Sequence, residues 1–481
     1  FDLDPDAADA PSARLYRNDG GGRFTDVTLA AGIGHRGWGM GCAVWDADGD
    51  DWPDLFLTVA GRDVYYHNEG DGHFVDRADA FFGDPRWSTG IGAADYDGDG
   101  DVDVYVASYV DLTEALSQVA PTGGPPPCTW RGVSVFCGPS GMTAAHDVLQ
   151  FVDDAGVYHD RSDRLLPRPE YFGFGVIAGD FDADGDADIY VADDSSPNLL
   201  YRNNDGLFED IAAAAGVAVS NDGRQQAGMG IAAGDVDGDG GIDFVVSNFS
   251  HDHVALYASR GTDFWEDASY THDVGRRTLA TLGWGMGLFD ADNDADLDLF
   301  VANGHVFPGV GAAGIGTSYR QANQLFDNDG GRLWDISQGS GSGLEVTESS
   351  RGAAFGDIDN DGDVDIVVIN LDAAPSLLRN DGGNRQGWLS IQLRGTAHNR
   401  SAIGATVEVT TEEKAQRREV RAGTGYLSQD DLRLHFGLGA ATVATVRVRW
   451  SDGSWQDVGE VAARQELQIS RQGESATELE R

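Results

Sequence analysis

Aspartate stands at positions 1, 3, 5 and 9 of six closely similar segments. They are Asp46–Leu57 (DADGDDWPDLFL), Asp95–Val106 (DYDGDGDVDVYV), Asp180–Val191 (DFDADGDADIYV), Asp235–Val246 (DVDGDGGIDFVV), Asp290–Val301 (DADNDADLDLFV) and Asp357–Val368 (DIDNDGDVDIVV). The alternating carboxylates are Asp46, Asp48 and Asp50; Asp95, Asp97 and Asp99; Asp180, Asp182 and Asp184; Asp235, Asp237 and Asp239; Asp290, Asp292 and Asp294; and Asp357, Asp359 and Asp361. Such a run aims three carboxylates at one point while the chain curls around it. The cage can be completed by the carbonyl of position 7 (Trp52, Asp101, Asp186, Gly241, Asp296, Asp363) and the carboxylate of position 9 (Asp54, Asp103, Asp188, Asp243, Asp298, Asp365). Hard oxygen donors in a flexible shell select Ca²⁺ over Zn²⁺, copper or Mg²⁺. About six Ca²⁺ are therefore expected, in structural rather than catalytic roles, because a cation enclosed by protein oxygens has no open position. An EF-hand is excluded: position 12 is Leu57, Val106, Val191, Val246, Val301 or Val368 where that motif needs a bidentate Glu. Position 6 is glycine in four loops but Asp51 in the first and Ala295 in the fifth, so these two are expected to be the weakest sites.

Each loop runs into an apolar, β-forming tail, and between the loops a second element recurs. Leu15–Thr28 (LYRNDGGGRFTDVT), Val64–Ala78, Leu200–Ala212, Leu256–Ala268, Leu325–Ser337 and a truncated copy from Leu377 each read as strand, Asn/Asp/Gly turn, strand. A unit of loop, strand and hairpin repeating at about 50–55 residues predicts an all-β propeller blade of four short strands. Small residues ahead of the loops (GWGMG at 37–41 and 283–287, GMG at 228–230) suit inner strands crowded around an axis. The hairpin at Leu15 lacks a loop of its own, which predicts seven blades closed from the two ends of the repeat region, with six as the alternative. A parallel solenoid is the rival architecture, but its repeats are usually shorter. The propeller is assigned to 1–387 with an insertion over roughly 111–168, a small β domain to 388–470, and a polar tail to 471–481. The hairpin at Val148–Arg161 reads as degenerate. A second, Gly-rich insertion covers Gly304–Gly316.

The chain has 481 residues, 80 Asp+Glu against 33 Lys+Arg, and a formal net charge of −47, which repels nucleic acid and anionic membrane surfaces. No apolar run is long enough for a membrane span, so no membrane insertion is expected. No signal peptide precedes Phe1, which reads as a removed leader or a mature end. The single lysine, Lys414, reads as genome composition rather than mechanism. Three cysteines are too few for a disulfide scaffold. Cys128 and Cys137 suit a local disulfide in an oxidising compartment, with free thiols or a redox pair as alternatives. Cys42 reads as a small buried residue. His251 and His253 alternate as surface residues, with a transition-metal site as the sharper reading. His305, in NGHVFP, is a candidate general base but more readily a packed loop residue. No phosphate-binding loop, nucleophile elbow or zinc-protease motif is present.

The six loops resemble FG-GAP or VCBS repeats, the calcium-loop propellers of integrin α-chains and many secreted bacterial proteins. The stretches RSAIGATVEV (400–409), YLSQDDLRLHFGLG (426–439) and VRVRWSDGSW (446–455) resemble an ASPIC/UnbV domain. This combination is similar to the cartilage acidic protein family and its bacterial relatives, as are CTWRGVSVFCGP (128–139) and NGHVFP (303–308). The resemblance implies a seven-bladed integrin-α-like propeller, calcium binding and a secreted or surface location, with the periplasm as a further possibility. The leading functional expectation is an extracellular binding or adhesion module for protein or carbohydrate. One alternative is a propeller enzyme of lyase, dehydratase or cyclase type, with His305, His146 and Tyr171 as its candidates. Another is a self-associating subunit of a surface layer or filament.

Overall fold

The computed structural model describes residues 12–77, 85–117, 128–135, 137–139 and 141–472. Its strands build an all-β propeller. A typical blade is the fourth: Gly228–Gly234, Asp243–Asn248, Ala255–Ser259 and Trp265–Asp267, antiparallel in that order from axis to rim. Blades one, two, three and five repeat this pattern, with inner pairs Gly39–Trp45/Asp54–Gly61, Arg86–Ala94/Asp103–Ser108, Gly173–Gly179/Asp188–Asp193 and Gly283–Phe289/Asp298–Asn303. The sixth has Ser350–Gly356, Asp365–Asn370 and Ser376–Leu378. The hairpin Tyr16–Asn18/Phe24–Asp26 stands as a separate two-stranded sheet. Among the described residues there are thus six inner pairs, and the hairpin 16–26 is a further outer pair.

The expected insertion is shorter than 111–168. Val148–Val152 pairs with Asp103–Ser108 and with Tyr158–Asp160, so the supposedly degenerate hairpin is the ordinary outer half of blade two. The excursion lies ahead of it and carries a helix (Leu112–Ser117) and the hairpin Cys128–Trp130/Val133–Val135.

Five residues ahead of every loop stands a glycine: Gly41, Gly90, Gly175, Gly230, Gly285 and Gly352. Here the inner strand shifts register against its partner; in the first five blades it approaches the backbone of the next blade, and at Gly352 it approaches Ser428 and Tyr426 of the C-terminal segment. A Cβ on Gly90 would lie 2.2 Å from the Phe174 carbonyl oxygen, and one on Gly230 2.3 Å from that of Trp284. Between blades the core is apolar and aromatic. Tyr190, Phe244, Tyr257 and Trp265 fill the joint of blades three and four, and Leu299, Val301 and Phe326 that of four and five.

The C-terminal strands form two sheets. One orders Leu434–Gly439, Gly387–Arg394 and Gln465–Ser470; the other orders Ala415–Glu419, Thr406–Thr410, Val443–Arg449 and Trp455–Ala462. They do not hang from the propeller as a separate bead. Leu389, Ile391, Val407, Val446 and Trp450 share one core with Trp45, Phe56, Ile91 and Val104 of blades one and two. The segment 419–431 enters the axis and pairs with the free inner edges of the ring. Ala93 N–H donates to Ala422 O (3.1 Å), Ile231 N–H to Gly425 O (3.0 Å) and Asp431 N–H to Phe355 O (2.9 Å). The Gln429 amide bonds both the N–H (2.8 Å) and the carbonyl (2.7 Å) of Val44. Tyr426 reaches deepest, packing on Phe174 and Trp284 at 5.7 and 4.9 Å.

Candidate metal centres

Every Asp loop joins the first strand of a blade to its second, so all six lie on one face of the ring. In five of the six loops the position-1 carboxylate folds the loop by accepting backbone N–H groups, while Asp180 is met by Arg449 instead. Asp46 takes those of Gly49 (2.8 Å) and Asp51 (2.7 Å), and Asp357 those of Asp361 (3.1 Å) and Gly362 (2.9 Å). The position-9 carboxylate ties the loop to its blade. Asp243 accepts from Val236 N (2.8 Å) and from Ser259 N (2.7 Å) on the third strand. Asp54, Asp103, Asp188, Asp298 and Asp365 do the same in their blades. Their remaining lone pairs stay available, since an ionised carboxylate has about four acceptor sites.

The oxygens of positions 1, 3 and 5 converge. In the loops starting at Asp46, Asp95, Asp180 and Asp235, one oxygen from each lies within 4.8 Å of the others. Several are buried with no hydrogen-bond partner in the structure: Asp180 Oδ1, Asp235 Oδ1, Asp237 Oδ1 and the position-7 Asp363 Oδ1. A buried acceptor without a donor is costly, and clustered carboxylates compound the cost. Burial first, and the carboxylates of the same loop after it, push Asp46 and Asp95 up to about 6, Asp243 and Asp290 to about 7, Asp298 to about 8 and Asp103 to about 9. An all-oxygen set with orphaned acceptors fits a hard divalent cation. When bound, such a cation would supply charge neutralisation and cross-link loop to blade.

The two glycine-less loops keep the common shape. Asp51 (φ 79°) and Ala295 (φ 78°) adopt the left-handed conformation that Gly100, Gly185, Gly240 and Gly362 take elsewhere. A non-glycine residue there costs about 1–2 kcal/mol. Asp51 is held by Arg394 at 2.6 Å and Arg400 at 3.4 Å. The first loop has one further difference: His67 Nδ1, from the third strand, lies 3.2 Å from both Asp48 Oδ2 and Asp54 Oδ1. In the sequence that histidine reads as an ordinary hairpin residue.

Long-range partners from the C-terminal sheets are invisible in the loop motif. His398 meets Asp101 (2.8 Å), Arg449 meets Asp180 (2.7 Å), and Arg433 donates to Asp357 O (2.8 Å). Lys414, which composition alone leaves without a role, meets Asp296 at 2.7 Å. The face that concentrates the acid is thus covered by the domain that supplies base.

The opposite face carries the excursions. Cys128 and Cys137 form a disulfide, and Cys42 is a free thiol that burial pushes up. Trp130 reaches from the blade-two excursion over Phe249, His251, His305 and Phe307, with ring centroids 5.2–6.1 Å apart. His305 is wholly buried. Its Nδ1 accepts from Phe307 N–H (3.1 Å), which leaves Nε2–H to donate to Ser250 Oγ (3.0 Å). Burial, then Arg351, pulls its pKa down to about 4. Both nitrogens are engaged, so its geometry is that of a packed neutral imidazole. His146 pairs with Glu170 at 3.2 Å in the blade-two excursion, and Tyr171 lies half-buried on the approach to blade three. These three residues therefore belong to the connections of different blades. His251 and His253 face different rings, Trp130 and Tyr270, rather than a common point.

The FG-GAP-like repeat family matches residues 46–106 and 180–246, and the ASPIC and UnbV family matches residues 395–476. The chain thus carries FG-GAP-like repeats followed by an ASPIC/UnbV domain. It is similar to cartilage acidic protein 1 of Homo sapiens, with 31% identity over 295 residues, covering 58% of this chain and 41% of that protein. The Mus musculus protein is 30% identical, covering 58% and 42%. The chain therefore spans under half the length of these curated relatives. Among solved structures it is similar to an Agrocybe aegerita lectin specific for non-reducing terminal N-acetylglucosamine (TM-score 0.40, 13% identity, covering 71% of this chain and 81% of that one). An exotype rhamnogalacturonan lyase gives a TM-score of 0.34 at 14% identity, covering 88% and 65%.

Proposed function

We propose that this chain is a secreted, calcium-stabilised propeller whose loop face is structural and whose excursion face binds an extracellular protein or carbohydrate. The observation that carries the calcium reading is the convergence of buried, partnerless carboxylate oxygens in loops of one register. The binding reading rests on asymmetry: the loop face is covered by the C-terminal sheets, and the other carries the excursions, where connecting segments commonly recognise ligands. The disulfide is consistent with an oxidising compartment. Among the described residues no helix is long and apolar enough to cross a membrane.

The test is metal analysis of untreated protein together with a panel of matrix proteins and glycans screened against wild type and Trp130→Ala. About six Ca²⁺ per chain, and a ligand lost on substitution of Trp130 in protein that still folds and keeps its calcium, are expected. Absence of calcium would overturn the first half, and undiminished ligand binding by Trp130→Ala would overturn the second.

A further inference from the structure

In every blade one residue of the third strand donates its N–H to the position-9 carboxylate, and the residue just ahead of it is therefore equivalent from blade to blade. These residues are His67, Phe151, Arg202, Ala258, Asp327 and Arg379. Phenylalanine and alanine carry no ligand atom. The two arginines are permanent cations, paired here with Glu209 and Asp263 and with Asp381. Asp327 adds a further carboxylate, whose charge acts on Asp292 of the fifth loop. Of the six, only His67 brings a nitrogen donor.

That nitrogen is aimed at the first loop. His67 Nδ1 lies 3.2 Å from both Asp48 Oδ2 and Asp54 Oδ1, and one ligand atom from each of the three residues lies within 4.8 Å of the others. Donors that share an ion through bonds of about 2.0–2.2 Å stand about 3.0–3.5 Å apart, so the spacing is that of a common coordination shell. Nδ1 is also buried without a hydrogen-bond partner. A plain imidazole–carboxylate pair would point its N–H along the line to one oxygen. The oxygens are held in place. Asp54 has no exposed side-chain surface; its Oδ1 accepts Asn68 N–H (2.8 Å), and its Oδ2 accepts Ala47 N–H (3.1 Å) and Tyr65 O–H (3.2 Å). Tyr65 is fixed in turn by stacking on Phe56, and Phe56 on Trp45, at 4.6 and 3.8 Å. Oδ1 keeps a lone pair for an ion. Asp51, at the glycine position, is drawn to Arg394 and Arg400 and adds no oxygen to this cluster.

We propose that the first loop is a site for a zinc-class divalent ion, held by His67 Nδ1, Asp48 and Asp54, where the other five loops take Ca²⁺. The contrast rests on the calcium reading of those five. Ca²⁺ takes oxygen ligands, whereas imidazole suits Zn²⁺ and its neighbours. To ligate, Nδ1 must be the unprotonated nitrogen, with the proton on Nε2. Asp48 and Asp54 are positions 3 and 9 of the loop, so the two kinds of ion compete for the same carboxylates and exclude one another.

The experiment uses the whole chain in saturating Ca²⁺, titrated with Zn²⁺ and, in parallel, with Co²⁺ as a coloured substitute; bound metals are counted after desalting. Wild type should retain one Zn²⁺ per chain, release one Ca²⁺, and show a visible Co²⁺ absorption band. His67→Asp, which copies Asp327, should bind Zn²⁺ at least a hundredfold more weakly, keep its full calcium and show no band. His67→Ala, which copies Ala258, should likewise lose the zinc. His159→Gln removes an exposed histidine 2.7 Å from Asp153 and should behave as wild type, which separates the site from adventitious surface binding. Three results would each overturn the proposal: no zinc retained by wild type, zinc retained equally by the two His67 variants, or zinc gained by a calcium-loaded chain that loses no calcium. Zinc lost only with His67 from a chain that holds no calcium would instead overturn the calcium reading and leave this site standing.

Discussion

The two faces of this propeller solve opposite problems. The loop face gathers like charge around orphaned oxygens and is held by partners distant in sequence: Arg394, Lys414, Arg433 and Arg449 from the C-terminal sheets. The excursion face gathers aromatic rings around a neutral histidine and is held by packing and one local disulfide. Stability on the first should therefore follow cation and salt; on the second it should follow side-chain volume and acid. The loop 419–431, entering from the first face and ending in Tyr426 against Phe174 and Trp284, joins the two.

The largest expected effect is chelation. An ion bound only by the folded loop at 100 times its Kd adds about 2.7 kcal/mol, so several together match a domain's whole stability of about 5–15 kcal/mol. Excess EDTA should lower the melt by tens of degrees, whereas reducing Cys128–Cys137 should leave most of it. If reduction proves the more damaging, the contrast between the faces is lost.

Next comes Tyr426→Ala, which empties the axis where both faces meet. Truncating a buried aromatic costs about 3–5 kcal/mol. Denaturant unfolding should show that loss with calcium present, and the variant should release the C-terminal sheets to limited proteolysis ahead of the blades. Unchanged unfolding would mean the loop is passive.

The third prediction concerns acid. His305 has a folded pKa of about 4, below the ordinary 6.5, so its neutral form stabilises the fold above pH 6.5. That contribution is lost as pH falls from about 6.5 toward 4. His305→Gln should flatten this part of a melt-versus-pH curve recorded in saturating Ca²⁺, with Trp130 emission reporting the local packing. An unaltered slope would place the acid sensitivity elsewhere.

The smallest is Ala295→Gly. Relieving a left-handed alanine should stabilise by about 1 kcal/mol and sharpen calcium binding at the fifth loop, read by titration calorimetry. A loss of stability would show that Lys414 and Asp296, rather than the turn, govern that loop.

Much of this architecture is legible in the amino-acid order because it is local and repeated. Asp at 1, 3, 5 and 9 fixes a turn through its own backbone N–H groups, and the Asn/Asp/Gly hairpins fix the outer strands, so blade and loop follow from short-range rules. The glycine five residues ahead of each loop was equally periodic and marks the inner-strand approach. What could not be read is long-range. Nothing in LHF predicts that His435 reaches Asn293 Oδ1 at 2.6 Å, nor in YLSQDD that Gln429 will bond Val44 across the axis. The insertion reads too long because Val148–Arg161 stands about forty residues after its Asp-loop strand, although its Asp153–Gly156 turn and its strand pairing match the other blades.

The sequence by itself determined the repeat, the carboxylate cages and the strand order within a blade, since each depends on residues near one another along the chain. Tertiary structure alone decided how the ring is filled: that the C-terminal segment occupies the axis and that its basic side chains cover the acidic face. Those outcomes depend on which surfaces remain uncovered once six blades have curled around a common axis, a property of the assembled ring rather than of any one repeat.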